Sequence, residues 1–404
     1  MKQVLFVINT LGGAGAETAM IEMMRNMNPN KYEISLFVLL NQGELVHRLP
    51  EHVHVLNENI SDCSVLSKEG KKVLNRYIVS RLFVKMSLFR NFFYVISNFF
   101  QMVGKGKILP DKLLWKVMSD GASRFEKKYD MAIAYLEGGS TYYVADHVSA
   151  EKKVAFVHID YGKAGYTPQL DLGCYDSYDR ICTVSDEVRE HFLSMYPEYD
   201  KKTCVFHNMI DTERICRLAE RPEGFEDSYD GIRLLTVGRL TAQKAYEIAI
   251  DAMKLLRDNK REVRWYVLGE GEERKTLEKK IHEYELEKDF LLLGAKDNPY
   301  PYYKQCDIYV HATRFEGKSI AIQEAQTLGC TIVASDCPGN REQIIDGVDG
   351  KMCELSARGI YEAICELLED RQACLQYGQM AKKRELSDKS HLTKLLNLME
   401  NESE

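Results

Sequence analysis

Glu316 and Glu324 stand eight positions apart in Phe315-Glu316-Gly317-Lys318-Ser319-Ile320-Ala321-Ile322-Gln323-Glu324. A helix rises about 1.5 Å per residue, so a helix opening inside this stretch sets the two carboxylates at different heights along a ligand. That separation is poorly suited to a tight acid/base dyad. The amides of Lys318 and Ser319, with Gly317 before them, are suited to a phosphate at the helix start. Glu324 could then hold a ribose diol and Glu316 the hydroxyls of a transferred group. Few ligands other than a nucleotide-linked sugar need a phosphate site and two sets of hydroxyl acceptors at once. A glutamate taken alone is usually a surface residue, so the combination carries the argument.

Three other segments hold comparable chemistry. In Val237-Gly238-Arg239-Leu240-Thr241-Ala242-Gln243-Lys244 a rigid guanidinium fork and a mobile ammonium follow an apolar run. Arg239 and Lys244 suit the two phosphates of a departing diphosphate, with Gly238 allowing close approach; a solvated pair of surface cations is the alternative. In Phe156-Val157-His158-Ile159-Asp160-Tyr161, His158 and Asp160 could bond sugar hydroxyls or move a proton. A satisfied loop histidine is the competing reading, and no further ligands surround the pair, so no metal is expected. Asn9-Thr10-Leu11-Gly12-Gly13-Ala14-Gly15 offers glycine backbone to a phosphate or sugar at Gly12 and Gly13, or is simply a tight turn. It is out of register with Gly-x-Gly-x-x-Gly, which argues against a dinucleotide.

The elements that must position these groups follow from hydrophobic patterning. Short apolar bursts at 4–8, 34–40, 130–136, 153–157 and 181–184 alternate with helix-like periodicity. The alternation restarts at 232–237 and continues through 263–268, 290–293, 307–311 and 331–334. This predicts an α/β chain with mostly parallel sheets covered on both faces. The charged segment Asp211–Gly231, with Pro222 and Gly224, reads as a domain joint, and a cleft is expected there. A length of 404 residues fits two domains.

Composition narrows the class without naming an activity. The chain is 45% hydrophobic and 28% charged, with a formal charge of −7, which makes a nucleic-acid backbone a poor partner. Eleven cysteines without a Cys-x-x-Cys pair fit reduced thiols in a cytoplasmic protein. The apolar run at Val4–Ile8 reads as a first strand rather than a signal peptide, so export is not expected.

Residues 68–103 form a basic, aromatic insertion, with Lys71, Lys72, Arg76 and Arg81 among Phe83, Phe92 and Phe100. Charges interrupt it before the roughly 20 apolar residues a membrane span requires. A peripheral contact with an anionic inner-membrane surface is one reading. Helices whose aromatics fill the core of the first domain are the other.

Gly12-Gly13 with Glu17, Gly238-Arg239 with Lys244, and Glu316 through Glu324 together resemble the sugar-nucleotide-dependent glycosyltransferases of family GT4. Val205-Phe206-His207-Asn208-Met209-Ile210-Asp211 and Val267-Leu268-Gly269-Glu270-Gly271 extend the resemblance over most of the chain. It implies the GT-B architecture, two Rossmann-like domains facing across a central cleft. The domains would be an acceptor-binding one at 1–210, a nucleotide-sugar-binding one at 211–385, and a C-terminal helix at 386–404 that returns to the first. It implies retention of anomeric configuration with no metal or other cofactor required. Arg239 and Lys244 would stabilise the diphosphate, Glu324 hold ribose, Glu316 contact the donor sugar, and His158 lie near its reacting face. Gly317-Lys318-Ser319 stands where many members have Gly-Phe-Gly, which leaves the role of Lys318 open. The implied function is transfer of a hexosyl or N-acetylhexosaminyl group from a UDP-sugar to a glycan or polyprenyl-diphosphate-linked acceptor. Bacterial surface polysaccharides such as capsule or lipopolysaccharide are the setting. A UDP-sugar epimerase of related fold and a non-catalytic nucleotide-sugar-binding protein are the alternatives.

Overall fold

The computed structural model describes residues 1–13, 15–64, 68–104, 106, 108–162, 164–386 and 389–400. The chain divides into two compact units, Met1–Asn208 with Lys389–Glu404, and Met209–Asp388.

The first unit is built on β1 (Lys2–Ile8), β2 (Tyr32–Val38), β3 (Val53–Val55), β4 (Tyr129–Ala134), β5 (Ala150–Val157), β6 (Arg180–Thr183) and β7 (Thr203–Val205). They form one sheet in the order β3-β2-β1-β4-β5-β6-β7, every pairing parallel. The second unit has β8 (Ile232–Val237), β9 (Val263–Leu268), β10 (Phe290–Leu292), β11 (Ile308–His311), β12 (Thr331–Ser335) and β13 (Lys351–Cys353). Their order is β10-β9-β8-β11-β12-β13, again all parallel. The unbroken apolar runs have their physical reason here: Val4 through Ile8 and Ile332 through Ala334 are fully buried, as strands covered on both faces must be. The α/β class and the pair of parallel sheets expected from sequence are therefore present. Three edge strands, β3, β7 and β13, escape the periodicity argument because each is only three residues long and includes a polar residue, His54, Thr203 or Lys351, whereas the equally short β10 is wholly apolar.

In each sheet the strand order reverses once, between β1 and β4 in the first unit and between β8 and β11 in the second. Loops diverge there beyond the carboxyl ends of the strands and leave a crevice for a ligand.

The first unit's core is rich in tyrosine. Tyr142 donates a hydrogen bond to Asp171 Oδ1 at 2.7 Å, Tyr161 donates to Oδ2 at 2.9 Å, and Tyr196 also donates to Oδ2. Burial pushes the Asp171 carboxyl up to about 6, against the pull of these three hydroxyls. The second unit's hydrophobic core centres on Trp265, Leu256 and Ile364.

Residues 68–104 fold as the helices Lys68–Phe83, Ser87–Arg90 and Phe92–Gly104. They are tethered to the helix Pro110–Gly121 where Asn91 Nδ2 donates to Asp120 Oδ2 at 2.8 Å and Ser87 Oγ donates to Val117 O. Their phenylalanines do not fill a core: Phe93 is 84% exposed and Phe89 74%. At the other end of the chain, His391 on the helix Ser390–Leu396 packs its ring 5.8 Å from Phe206 and 5.3 Å from His207. Leu392, Leu395 and Met399 are buried beside it.

Candidate functional site

The β8–β11 switch of the second unit brings together the residues that the sequence separates by about seventy positions. β8 runs into Gly238 and Arg239, and a short turn at Ala242–Lys244 leads into the helix Tyr246–Asp258. β11 ends at His311 and its exit loop carries Glu316. The two exits are stitched together: Gln243 Nε2 donates to Phe315 O at 2.8 Å, and the Arg314 amide donates to Gln243 O at 2.9 Å. Arg314 also donates to Ala242 O and pairs with Glu247. Across this seam Lys244 Nζ donates to Glu316 Oε2, and His311 Nε2 lies 3.4 Å from the same oxygen.

The electrostatics follow from that contact. Burial disfavours the Glu316 carboxylate, but the Lys244 ammonium, with the His311 ring nearby, outweighs it and holds the pKa down at about 2. Glu316 is thus an obligate acceptor, fit for hydroxyls and unfit to donate a proton. His311 is lowered, first by burial and then by Lys244, while its Nδ1 sits 3.0 Å from Tyr309 Oη. Arg239 is exposed and forms no ion pair among the described residues. A guanidinium with no internal anion among the described residues, on the same strand exit as a half-buried ammonium–carboxylate pair, is an arrangement ready for a polyanion.

Neighbouring loops fix the backbone of these exits by close approach. A Cβ at Gly269 would stand 1.9 Å from Gly238 O, and one at Gly339 would stand 2.2 Å from Glu316 O. Only glycine lets the exits of β9 and β12 lie against the two site loops.

Glu324 lies on the helix Ile320–Leu328, one turn in, and is buried. Tyr300 Oη donates to its Oε1 and Tyr303 Oη to its Oε2, both at 3.2 Å. These bonds aim the carboxylate. From sequence, Tyr300, Tyr302 and Tyr303 fit either a nucleobase contact or core packing. In the structure all three are buried, and two of them orient Glu324.

Two backbone amides expected to meet phosphate already have partners. The Ser319 amide donates to Gln343 Oε1 at 2.6 Å, while Gln343 Nε2 donates to Ser319 O at 2.8 Å. A phosphate at Ser319 would have to displace that side chain, which leaves Gly317 and the half-buried Lys318 as the more accessible part of the loop. The Gly13 amide donates to Glu44 Oε1 at 2.5 Å, so an internal carboxylate occupies the anion position of the β1 exit. Gly12 is buried beneath it.

The first unit's switch also shows a residue that the sequence reading passed over. Glu137 follows β4, is 7% exposed, and its pKa is raised by burial despite the bond from the His158 amide to Oε2 at 3.1 Å. Asn9 ties the two exits together by donating to Glu137 O at 3.0 Å and accepting from the Ser140 amide at 2.7 Å. The Glu137-Gly138-Gly139 exit was a legible signal of the same kind as Gly12-Gly13. His158 stacks near Tyr135 at 5.1 Å and Phe156 at 6.0 Å, and burial lowers its pKa to about 4. Its imidazole is neutral at physiological pH, which favours hydrogen bonding over proton uptake. Asp160 Oδ2 lies 2.8 Å from His191 Nδ1. Among the described residues one group has metal-ligand spacing, Asp120, Asp146 and His147. There Lys116 already pairs with Asp146 and lies 3.5 Å from Asp120.

Known proteins resemble the chain in sequence and in fold. Residues 224–384, within the second unit, match the family model of glycosyl transferases group 1. The N-acetylgalactosamine-N,N'-diacetylbacillosaminyl-diphospho-undecaprenol 4-alpha-N-acetylgalactosaminyltransferase of Campylobacter jejuni is 30% identical over 212 residues, 52% of this chain and 56% of that protein. The amylovoran biosynthesis glycosyltransferase AmsD of Erwinia amylovora is 24% identical over 237 residues, 58% of this chain and 63% of that protein. The chain thus matches less than two thirds of the length of either relative. The crystal structure of Anabaena HepE in complex with UDP-glucose superposes with a TM-score of 0.69 at 14% identity, covering 99% of this chain and 100% of that one. At that identity the likeness speaks for the fold, which is the GT-B fold that the motifs imply.

Proposed function

We propose that the protein is a retaining glycosyltransferase that moves a hexosyl or N-acetylhexosaminyl group from a UDP-sugar to a lipid-linked glycan acceptor at the cytoplasmic face of a membrane. The observation that carries the reading is the Lys244–Glu316 pair at the β8–β11 switch, with Arg239, which forms no ion pair among the described residues, on the same strand exit. A diphosphate arriving there competes with Glu316 for Lys244 and takes the free fork of Arg239. As the bond to the leaving diphosphate lengthens, its charge grows against both cations, so they favour the transition state over the bound donor. Glu316, ionised because of Lys244, accepts from the sugar hydroxyls, and Glu324, aimed by Tyr300 and Tyr303, accepts from the ribose. No metal or other cofactor is assigned a role. The acceptor class is supported by the diphospho-undecaprenol named in the Campylobacter relative, and a surface polysaccharide setting by the Erwinia one.

The test is incubation of the purified protein with UDP-glucose, UDP-galactose and their N-acetyl forms plus a polyprenyl-diphosphate-linked acceptor, following UDP release and acceptor mass. UDP formed in step with a sugar-sized gain on the acceptor, with the α anomer from an α donor, is the expected result. Conversion of the donor sugar without mass gain would mean an epimerase, and binding without turnover would mean a recognition protein. Either outcome overturns the transferase reading.

A further inference from the structure

We infer that the helical insertion at residues 68–104 is a membrane-binding face whose occupant is an anionic bilayer surface. Thirteen of the nineteen exposed large hydrophobic residues among the described part of the chain lie between Val73 and Ile108. On the helix Phe92–Gly104 the expected polarity is inverted: the solvent side carries Phe92, Phe93, Ile96 and Phe100, and the inner side carries Asn98 with Met102. A soluble monomer seldom leaves a contiguous apolar patch of this kind uncovered.

Charge identifies the partner. Residues 68–107 contain nine lysines and arginines against a single acidic residue, Glu69, a local +8 in a chain whose total is −7. Lys71, Lys72, Arg76 and Arg90 are exposed on the helices Lys68–Phe83 and Ser87–Arg90. Phenylalanines that enter the acyl boundary while long basic side chains reach the headgroups describe an interfacial contact. A protein partner would have to combine an apolar surface with a dense negative rim; an anionic leaflet has both by composition. Among the described residues no helix is long and apolar enough to cross a membrane, and the contact proposed is one on the surface.

The turn that presents the patch is held in an uncommon backbone conformation. Lys85 and Met86 are consecutive non-glycine residues with φ of 53° each. Such residues persist where the surroundings over-determine them, and here Lys85 Nζ donates to Ala122 O at 2.9 Å. The result is that Met86, Phe83 and Phe89 project from one apex, 62%, 69% and 74% exposed.

The experiment is flotation of the full chain with phosphatidylcholine vesicles and with vesicles that also contain phosphatidylglycerol. Wild type is expected to float with the anionic vesicles and to be released by high salt. The double change Phe93→Ser, Phe100→Ser is expected to lower partitioning at least about tenfold. Lys71→Ala, Lys72→Ala and Arg76→Ala together are expected to lower it about fivefold per charge on anionic vesicles alone. All five positions are exposed, so thermal melting should match wild type. Wild type that ignores anionic vesicles, or a phenylalanine variant that floats undiminished, overturns the inference. So does a wild-type dimer that the phenylalanine variant renders monomeric without any vesicle binding, since a second copy would then be the occupant. Flotation needs no turnover, so its outcome is independent of the transferase reading.

Discussion

Asp171 in the first unit and Glu316 in the second are both carboxyls taken out of water, and they are pushed in opposite directions. Asp171 is met by three neutral tyrosine hydroxyls, so burial wins and its pKa rises to about 6. Glu316 is met by an ammonium, so the ion pair wins and its pKa falls to about 2. A buried acid satisfied by neutral donors has nothing to offer a charged ligand and serves the core. A buried acid paired with a cation that lies at a strand exit holds that cation ready for a stronger anion. The comparison separates two sources of a perturbed carboxyl that burial alone would confuse.

The largest expected effect lies on the cationic side. Arg239→Ala should lower kcat about a hundred- to a thousandfold, because the guanidinium meets charge that grows as the diphosphate leaves. The side chain is exposed and forms no ion pair among the described residues, so thermal melting should be unchanged. Acceptor-dependent turnover near the wild-type rate would remove Arg239 from the diphosphate site.

On the structural side, Asp171→Ala strands the hydroxyls of Tyr142, Tyr161 and Tyr196 in a closed core. A loss of roughly 3 kcal/mol in unfolding free energy is expected, measured by urea titration. Loss of turnover in that variant at a temperature where it is fully folded would break the distinction between the two carboxyls.

How much of this was legible depends on chain separation. The strand bursts at 232–237 and 307–311 placed Lys244 and Glu316 at two exits, and strand-order reversal did the rest, because β8 and β11 are neighbours only in space. His311 was readable as the last residue of its strand, yet nothing local says that it lies beside Glu316. The Asp171 cluster was invisible because its tyrosines come from positions 142, 161 and 196 on separate elements. The claim of Gln343 on the Ser319 amide spans 24 residues and has no periodic signature. The exposed aromatic face had been readable only as a choice, since composition does not tell an inward phenylalanine from an outward one.

The opposite shifts also predict opposite pH slopes. The unfolded chain releases the Asp171 proton near pH ~4, whereas the native state keeps it to about 6. Its contribution is therefore fully present below ~4 and lost as pH rises through 6, up to about 3 kcal/mol. For Glu316 the native pKa is below the unfolded one, so its contribution is present above ~4.3 and lost as pH falls toward 2, again up to about 3 kcal/mol. Relative to wild type, Asp171→Asn should gain stability between pH 4.5 and 7, and Glu316→Gln should gain it between pH 5 and 2. Slopes of the same sign in denaturant titrations would refute the contrast.

The smallest effect tests how Glu324 is aimed. Tyr303 Oη is 3.2 Å from Glu324 Oε2 and 3.3 Å from Ala321 O, so Tyr303→Phe deletes one of the hydroxyls that orient the carboxylate without emptying the pocket. One neutral hydrogen bond is worth about 1 kcal/mol, which is about fivefold in donor affinity. If Glu324 holds ribose, that loss belongs to the bound donor as much as to the transition state, so it should appear in UDP affinity by calorimetry and in donor KM while kcat stays nearly constant. Glu324→Gln should weaken UDP further with the same division between constants. At Asp171 the matching change, Tyr196→Phe, should cost stability and leave both KM and kcat alone. A Tyr303→Phe enzyme with normal UDP affinity and a lowered kcat would instead place Glu324 beside the reacting atoms, and the division of labour between the two glutamates would have to be reversed.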